Sequence, residues 1–273
     1  MGAVMTIYSG QGRGSGMILD HRNWAPTASV TTTAPVASEL PLSHLLSEPV
    51  ARPARVLATS FMLDVDLGEE RPVGALAIAG ATLAADDTWV WSCRMEPAGP
   101  IIWQTDAGTA DRGLHPSIGF ALAIPILPSP VLAARYWSLA VSAPSRSALG
   151  YVDLGYLWIG AGSRPAHGAE YGWRLTTEDL SRITVAERSG VEWVDLGRRR
   201  RRLDLSLVLG DDERAGVIDR DLDAGLSSPV LVVPSPAGDW AREGMIGRIA
   251  SADPLVKSYA RYSDHAYSIR ELL

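Results

Sequence analysis

Apolar and polar side chains alternate along most of this chain in short runs, each closed by glycine, proline or aspartate. In "FMLDVDLG", Phe61, Leu63, Val65 and Leu67 fall on one face, while Met62, Asp64 and Asp66 fall on the other. That period of two predicts a half-buried strand ending at Gly68. "PVGALAIAG" (Pro72–Gly80) is apolar throughout and predicts a buried strand. Further strands are expected in "TASVTTT", "DTWVWSCRM", "PIIWQTDAG", "ARYWSLAVS" and "GYVDLGYLWIG", with one short helical turn in "SELPLSHLLSE". Many short strands with regular turns predict a β-sandwich or jelly roll.

The pattern breaks at "GAGSRPAHGAEYG" (Gly160–Gly172), whose glycines and small polar residues read as a linker. A second β-rich block follows, with strands around a turn at Ser189–Gly190. "DDERAGVIDRDLDAG" (Asp211–Gly225) predicts a helix with Asp211 at its cap, Ala215, Ile218 and Leu222 on one face, and Gly225 at its end. The expected fold is therefore mainly β: a flexible segment over 1–26, a jelly-roll sandwich over 27–160, and a second β-rich domain with one short helix over 161–273. Residues 1–16, with "SGQGRGSG", have nothing to bury.

The most unusual run is "GRRRRRLDLSLVLG" (Gly197–Gly210). Leu203, Leu205, Leu207 and Leu209 share one strand face, and extending the alternation backwards adds Arg199 and Arg201 to it. Arg198, Arg200 and Arg202 fall on the polar face. Charge decides between nucleic acid and protein as the partner of this run. The chain carries a net charge of −6; residues 1–160 hold 9 basic and 13 acidic residues, and residues 161–273 hold 16 and 18. A phosphate-binding patch needs surrounding basic support, which neither half supplies, so nucleic acid is not expected. The guanidinium groups should pair with carboxylates, some of them on neighbouring subunits, making Arg199 and Arg201 candidate interface residues.

Chemistry is conspicuous by its missing motifs. No serine has glycine at both −2 and +2, the sole lysine (Lys257) lies in no phosphate loop, and the five histidines show no H-x-x-x-H spacing. "SDH" (Ser263–His265) sets triad letters side by side, but strand neighbours face opposite ways. "DRDLDAG" (Asp219–Gly225) resembles a calcium loop, yet its glycine is one place late and Val230 stands where a bidentate glutamate belongs. Asp64 and Asp66 read as a polar outer face. Cys93 stands alone, which excludes an internal disulfide and predicts a buried thiol suited to assembly in a reducing cytoplasm. Residues 113–134 carry no charge, but four prolines argue for extended chain rather than a membrane-spanning helix. No catalytic residue, cofactor, metal or membrane insertion is expected.

Of the nine tryptophans, Trp89, Trp91, Trp103, Trp137 and Trp158 lie in predicted strands and suit a sandwich core; the other reading is a stacking platform for sugars. At this point "LPLSHLL", "FMLDVDLGEERPVGALAIAGATLAADDTWVWSCR", "IIWQTDAG", "ARYWSLAVS" and "GYVDLGYLWIG" together resemble a discoidin-type, galactose-binding-like jelly roll. "WIGAGSRPAHGAEYGWRL", "RRRRRLDLSLVL", "PVLVVPSP" and "MIGRIASADPL" are similar to the C-terminal half of bacteriophage tail or minor structural proteins. The resemblance covers most of the chain and lies in the order of its segments. It implies a structural component of a phage tail, at the tip or baseplate, assembled in the host bacterial cytoplasm. Its implied partners are copies of itself in a symmetric ring and other tail proteins. The alternative is a receptor-binding module for host-surface glycan; the resemblance transfers no binding residues, and Trp24, Trp103 and the loop around His115 are the candidates in this sequence.

Overall fold

The computed structural model describes residues 17–48, 50–84, 86–105, 108–109, 131–166, 173–185, 192–197, 199–225, 227–234, 243–257 and 261–272. The segment 1–16, most of the uncharged proline-rich segment and the turn at Ser189–Gly190 lie outside the described residues. In chain order the first strands are β1 (Ile18–Asp20), β2 (Ser29–Thr32), β3 (Ala54–Val56), β4 (Ser60–Val73), β5 (Ala75–Ala79) and β6 (Thr88–Arg94). Next come β7 (Trp103–Gln104), β8 (Gly108–Thr109), β9 (Leu132–Ser142), β10 (Val152–Leu154) and β11 (Tyr156–Gly160). The second block contains β12 (Arg174–Asp179), β13 (Arg182–Val185), β14 (Glu192–Asp195), β15 (Arg199–Gly210), helix α1 (Asp211–Ala224), β16 (Pro229–Val233), β17 (Met245–Ala252) and β18 (Tyr262–Glu271).

The expected jelly-roll sandwich is present. One layer is the antiparallel sheet β2-β4-β9-β6-β7, with β8 also paired to β6. The facing layer is made of two strand pairs, β3–β10 and β5–β11. Leu63, Trp91, Trp137 and Leu139 from the first layer meet Val56, Leu76, Ile78, Leu154 and Leu157 from the second in one buried cluster. Burying each such large apolar side chain stabilises the fold by about 1.5–3 kcal/mol. The short helical turn expected near residue 42 is a 3-10 turn at Leu42–Leu46. The strand expected to stop at Gly68 instead runs on to Val73. Its register against β9 shifts between Asp66 and Arg71, and Gly68 at φ 79° bends the strand without ending it.

The second block forms a six-stranded antiparallel sheet in the order β1-β16-β17-β18-β15-β12. Residues 17–26 are therefore not a flexible lead, a correction to the expected 1–26 boundary. Ile18, Leu19 and Asp20 pair with Val233, Val232 and Leu231, and the buried Met17 and Leu19 join the leucines of β15 in the core. An apolar tripeptide gains more from completing a sheet edge than from hydration. The described part of the chain thus runs from the C-terminal sheet through the jelly roll and back.

The two sheets share β5–β11. Leu76, Ile78, Leu157 and Ile159 point into the jelly-roll core. Ala75, Ala77, Ala79, Tyr156 and Trp158 point the other way, against Ile18, Leu231, Val233 and Ile246 of the second sheet. Small alanines let the layers approach, and Trp158 fills the space beside them. Its indole donates to Asp20 Oδ2 at 3.1 Å, and the Gly162 amide donates to the same oxygen at 2.9 Å. Burial pushes the Asp20 carboxyl above its ordinary range, opposed by these hydrogen bonds.

A Cβ at Gly160 would overlap the Asp20 carboxylate, the Trp158 indole nitrogen and the Arg22 carbonyl. Gly160→Ala is expected to cost about 1–3 kcal/mol and lower the thermal midpoint by several degrees. Gly216→Ala, in open space on α1, should raise stability by up to about 1 kcal/mol. Thermal unfolding of the two variants beside the parent protein checks both signs.

Candidate functional site

The residues singled out from sequence do not converge. Trp103 is 4 % exposed and packs edge-on against Trp137, with ring centroids 6.0 Å apart. A ring held in the sandwich core presents no face to a sugar, so Trp103 is withdrawn as a binding residue. Trp24 is half-buried; its indole donates to the Pro72 carbonyl at 3.4 Å and the Arg71 guanidinium lies 4.6 Å from its ring centre. Its outer surface thus already carries a cation from its own chain. His115 lies outside the described residues. Trp89, Trp91, Trp137 and Trp158 are all core residues. Asp66 is engaged by Arg135 in a two-pronged ion pair at 2.7 and 2.9 Å, and Asp64 accepts from Ser138 at 2.5 Å, as a polar outer face requires. Cys93 is buried, and burial pushes its thiol up to about 12, which removes nucleophilic character at neutral pH.

The arginine run does form one edge of a long strand, with the expected parity. Its partners are carboxylates of the same chain. Arg199 pairs with Asp179 at 3.2 Å and Arg200 with Glu178 at 2.7 Å. Arg202 pairs with Asp204 at 2.9 Å. Arg270 on β18 reaches Glu178 at 3.4 Å, and the Arg200 hydrogen bond foremost holds the Glu178 carboxyl below its ordinary range. Arg201 differs. It is 1 % exposed, on the leucine face, with its backbone amide and its Nε each 3.0 Å from a different oxygen of Glu271. An enclosed guanidinium cannot meet another subunit, so Arg201 is corrected from interface residue to internal ion pair. Arg199 is exposed and stays available to a neighbour.

Helix α1 presents the face opposite to the one its apolar stripe predicts. Ala215, Ile218 and Leu222 face solvent, with Leu222 77 % exposed, whereas Val217 is buried. Polar anchors on the Val217 face decide the orientation. Glu213 accepts from the Gly210 and Ala166 amides at 3.3 and 2.6 Å, and Arg220 donates to the Ser163 hydroxyl. Asp221 accepts from Tyr267 Oη at 2.7 Å and from His265 Nε2 at 2.9 Å. Asp211 is the first helical residue rather than the cap, and Gly225 closes the helix at φ 59° as expected. The calcium-loop look-alike is thereby helical.

His21 completes an interior cluster with Asp221, His265 and Tyr267; its Nε2 lies 3.9 Å from Asp221 Oδ1. Burial pushes His21 down to about 4, against the attraction of Asp221. Burial alone would raise the Asp221 carboxyl, but hydrogen bonds from His265 and Tyr267 together with the nearby histidines hold it low. This network binds β1, α1 and β18 to one another. Ser263, the other member of the "SDH" triplet, is fully buried.

An open groove of about 390 Å3 lies on the second sheet. One face of that sheet carries the leucines of β15 and helix α1. The other face is covered by β5–β11 over β1, β16 and part of β17, and among the described residues it is bare over β18, β15 and β12. The bare part is polar because the alternation that buries Leu203, Leu205 and Leu207 turns Arg202, Asp204 and Ser206 outward. Register aligns Arg174 on β12 with Asp204 on β15, Ser268 on β18 and Ser251 on β17 in one row across four strands. Trp173, Asp253 and Arg202 line the same groove. The alternation signalled the outward polar face, but its register with three other strands could not be read from one strand.

A third feature is an arm. Among the described residues β13 and β14 pair only with each other, beyond the ends of β12 and β15. The bend between them is set at Leu180–Ser181 and Leu196–Gly197, where the Gly197 amide donates to Ser181 Oγ at 3.0 Å and no side chain fits at Gly197. Every described side chain of the two strands is exposed, including Ile183, Val185, Trp193 and Val194.

No protein-family model and no curated protein matches the chain. Among solved structures, the lectin domain of lectinolysin complexed with Lewis b antigen is 11% identical, with a TM-score of 0.40, covering 53% of this chain and 99% of its own. The family 32 carbohydrate-binding module of NanJ from C. perfringens, solved with galactose, is 13% identical, with a TM-score of 0.39, covering 52% and 98%. CBM32-1 from a family 31 glycoside hydrolase of Clostridium perfringens is 7% identical, with a TM-score of 0.41, covering 51% and 98%.

Removing one partner of the enclosed pair, as in Glu271→Gln or Arg201→Met, is expected to cost about 3–5 kcal/mol, and the double variant Arg201→Met/Glu271→Leu to recover most of it. Urea denaturation of the three proteins measures this coupling directly. A second expectation concerns acid. The folded-state value of His21, about 4, lies below its unfolded 6.5, so the unfolded chain binds more protons between those values. The stability from a neutral His21 is complete above pH 6.5 and is lost as pH falls toward 4, on the order of 3 kcal/mol. Thermal midpoints taken across that window should slope less in His21→Gln than in the parent.

Proposed function

We propose that this chain is a structural subunit of a bacteriophage tail that oligomerises and docks neighbouring tail proteins. The observation that carries the reading is the β13–β14 arm. An isolated two-stranded ribbon is marginally stable in water, and this one exposes Ile183, Val185, Trp193 and Val194 with no layer of the described residues to cover them. Leu180 and Leu196 at the bend extend the apolar surface, Leu196 being 84 % exposed. Exposed apolar surface of this kind marks protein–protein contact, and closed rings are its usual outcome. The tail context rests on the ordered resemblance of the sequence segments. In this reading residues 161–273, with β1, form the assembly part, residues 27–160 the jelly roll it carries, and Arg199 at the base of the arm contributes to the contact. Assembly in the host cytoplasm and residence in the virion follow from it.

A second reading, recognition of cell-surface carbohydrate, is favoured by the polar groove beside Trp173. The groove lies outside the jelly roll, away from the residues first considered.

The arm gives the main reading its test. Light scattering coupled to size exclusion should show an oligomer for the parent protein. Ile183→Ser/Trp193→Ser/Val194→Ser should give a monomer with unchanged circular dichroism. A parent protein that stays monomeric at every concentration and is missing from purified particles by mass spectrometry sinks the proposal.

A further inference from the structure

We infer that the groove on the bare half of the second sheet is a binding site for a neutral sugar residue, built from Trp173, Arg174, Arg202, Asp204, Ser251 and Ser268. The inference rests on the carbohydrate reading and assigns it a place. Three properties of the groove select this chemistry. The first is charge. Its cations, Arg174 and Arg202, are matched by its carboxylates, Asp204 and Asp253, with Arg202 held to Asp204 at 2.9 Å. A phosphate or a polyanion gains little where carboxylates balance the cations and one of the two guanidiniums is already paired. A guanidinium beside a carboxylate offers donors and acceptors side by side, the pattern that neighbouring hydroxyls on a sugar ring satisfy.

The second is an unsatisfied hydroxyl. Ser268 is 7 % exposed, lines the groove and has no hydrogen-bond partner for its Oγ. Buried hydroxyls are hydrogen-bonded as a rule, because leaving one unmade costs about 1–3 kcal/mol. Ser268 stands in register with Asp204 on one side and Ser251 on the other, at the centre of the polar row. A ligand hydroxyl placed over that row would satisfy it. The third is Trp173, half-buried at the edge of the groove, which packs partly against the leucine core and shows its remaining apolar surface beside a polar floor. Sugar rings have one face of C–H groups and a rim of hydroxyls, matching that combination. The volume of about 390 Å3 falls in the range of ~300–1,000 Å3 for small-molecule clefts.

The test uses the full chain and saturation-transfer NMR with galactose, glucose, mannose, N-acetylglucosamine and fucose as probes, and inorganic phosphate as the anionic control. At least one sugar should bind and phosphate should not. Ser251→Tyr, which fills the groove from an exposed position and leaves the core untouched, should weaken binding roughly tenfold or more. Trp173→Ala should do the same, Trp173→Phe should restore part of the loss, and Trp24→Ala should change nothing. Sugar binding unaffected by Ser251→Tyr overturns the site while leaving carbohydrate recognition standing. Failure of every sugar to bind overturns both, and phosphate binding that Ser251→Tyr removes reassigns the groove to anions.

Discussion

Everything in this molecule hangs on a two-stranded layer that is buried on both faces. β5–β11 closes the jelly roll with Leu76, Ile78, Leu157 and Ile159, and supports the second sheet with alanines and Trp158. Neither sheet could be moved relative to the other without uncovering one of those faces. The requirement also explains the local backbone. Two sheets can approach this closely only where side chains are small, and at the crossing a Cβ on Gly160 would overlap Asp20 and Trp158. Asp20 sits at the same crossing, buried, because the indole nitrogen of Trp158 and the amide of Gly162 must have an acceptor there.

A buried polar group outweighs an apolar stripe when its partners are strong enough, and twice here that decides orientation. Helix α1 turns Leu222 to water so that Asp221 can meet His265 and Tyr267. Exposing one leucine forgoes about 1.5–3 kcal/mol, whereas stranding the Asp221 carboxylate, His265 Nε2 and the Tyr267 hydroxyl in the interior costs about 1–3 kcal/mol for each group. Strand β15 brings Arg201 inside for the same reason, because Glu271 on the neighbouring strand waits with two oxygens.

These two cases mark where residue patterns stop being informative. The strands of the jelly roll, the two-face division of β15 and the position of α1 could all be read from local alternation and end signals, whereas the tryptophans fitted either a core or a sugar platform. Local signals are enough there because side-chain direction depends only on the residue's own strand or helix. The face of α1, the burial of Arg201 and the placement of β1 in the last sheet could not be read so. Each depends on partners 44 to 215 residues away in the chain, such as Asp221 with His265 or Ile18 with Val233. The groove belongs to the same class. Its four-strand row exists only once Arg174, Asp204, Ser268 and Ser251 are in register, and nothing along β15 alone announces the serine opposite Asp204.

The arm and the groove occupy one sheet, and that arrangement has a mechanical consequence. β12 and β15 carry the arm at one end and floor the groove at the other. β17 also contributes to the groove while Ile246 anchors it to the shared layer. A ribbon that leaves the sheet through a bend at Leu180–Ser181 and Leu196–Gly197 gains no burial from the monomer, yet it keeps isoleucine, valine and tryptophan where threonine or lysine would serve a free ribbon better. In the proposed assembly a neighbouring subunit would cover them. The strands that floor the groove would then be held at both ends, by that neighbour on one side and, through β18 and β17, by β5–β11 on the other. A floor ordered in that way would leave a ligand less entropy to remove on binding, which would couple contact at the arm to occupancy of the groove without a change of shape.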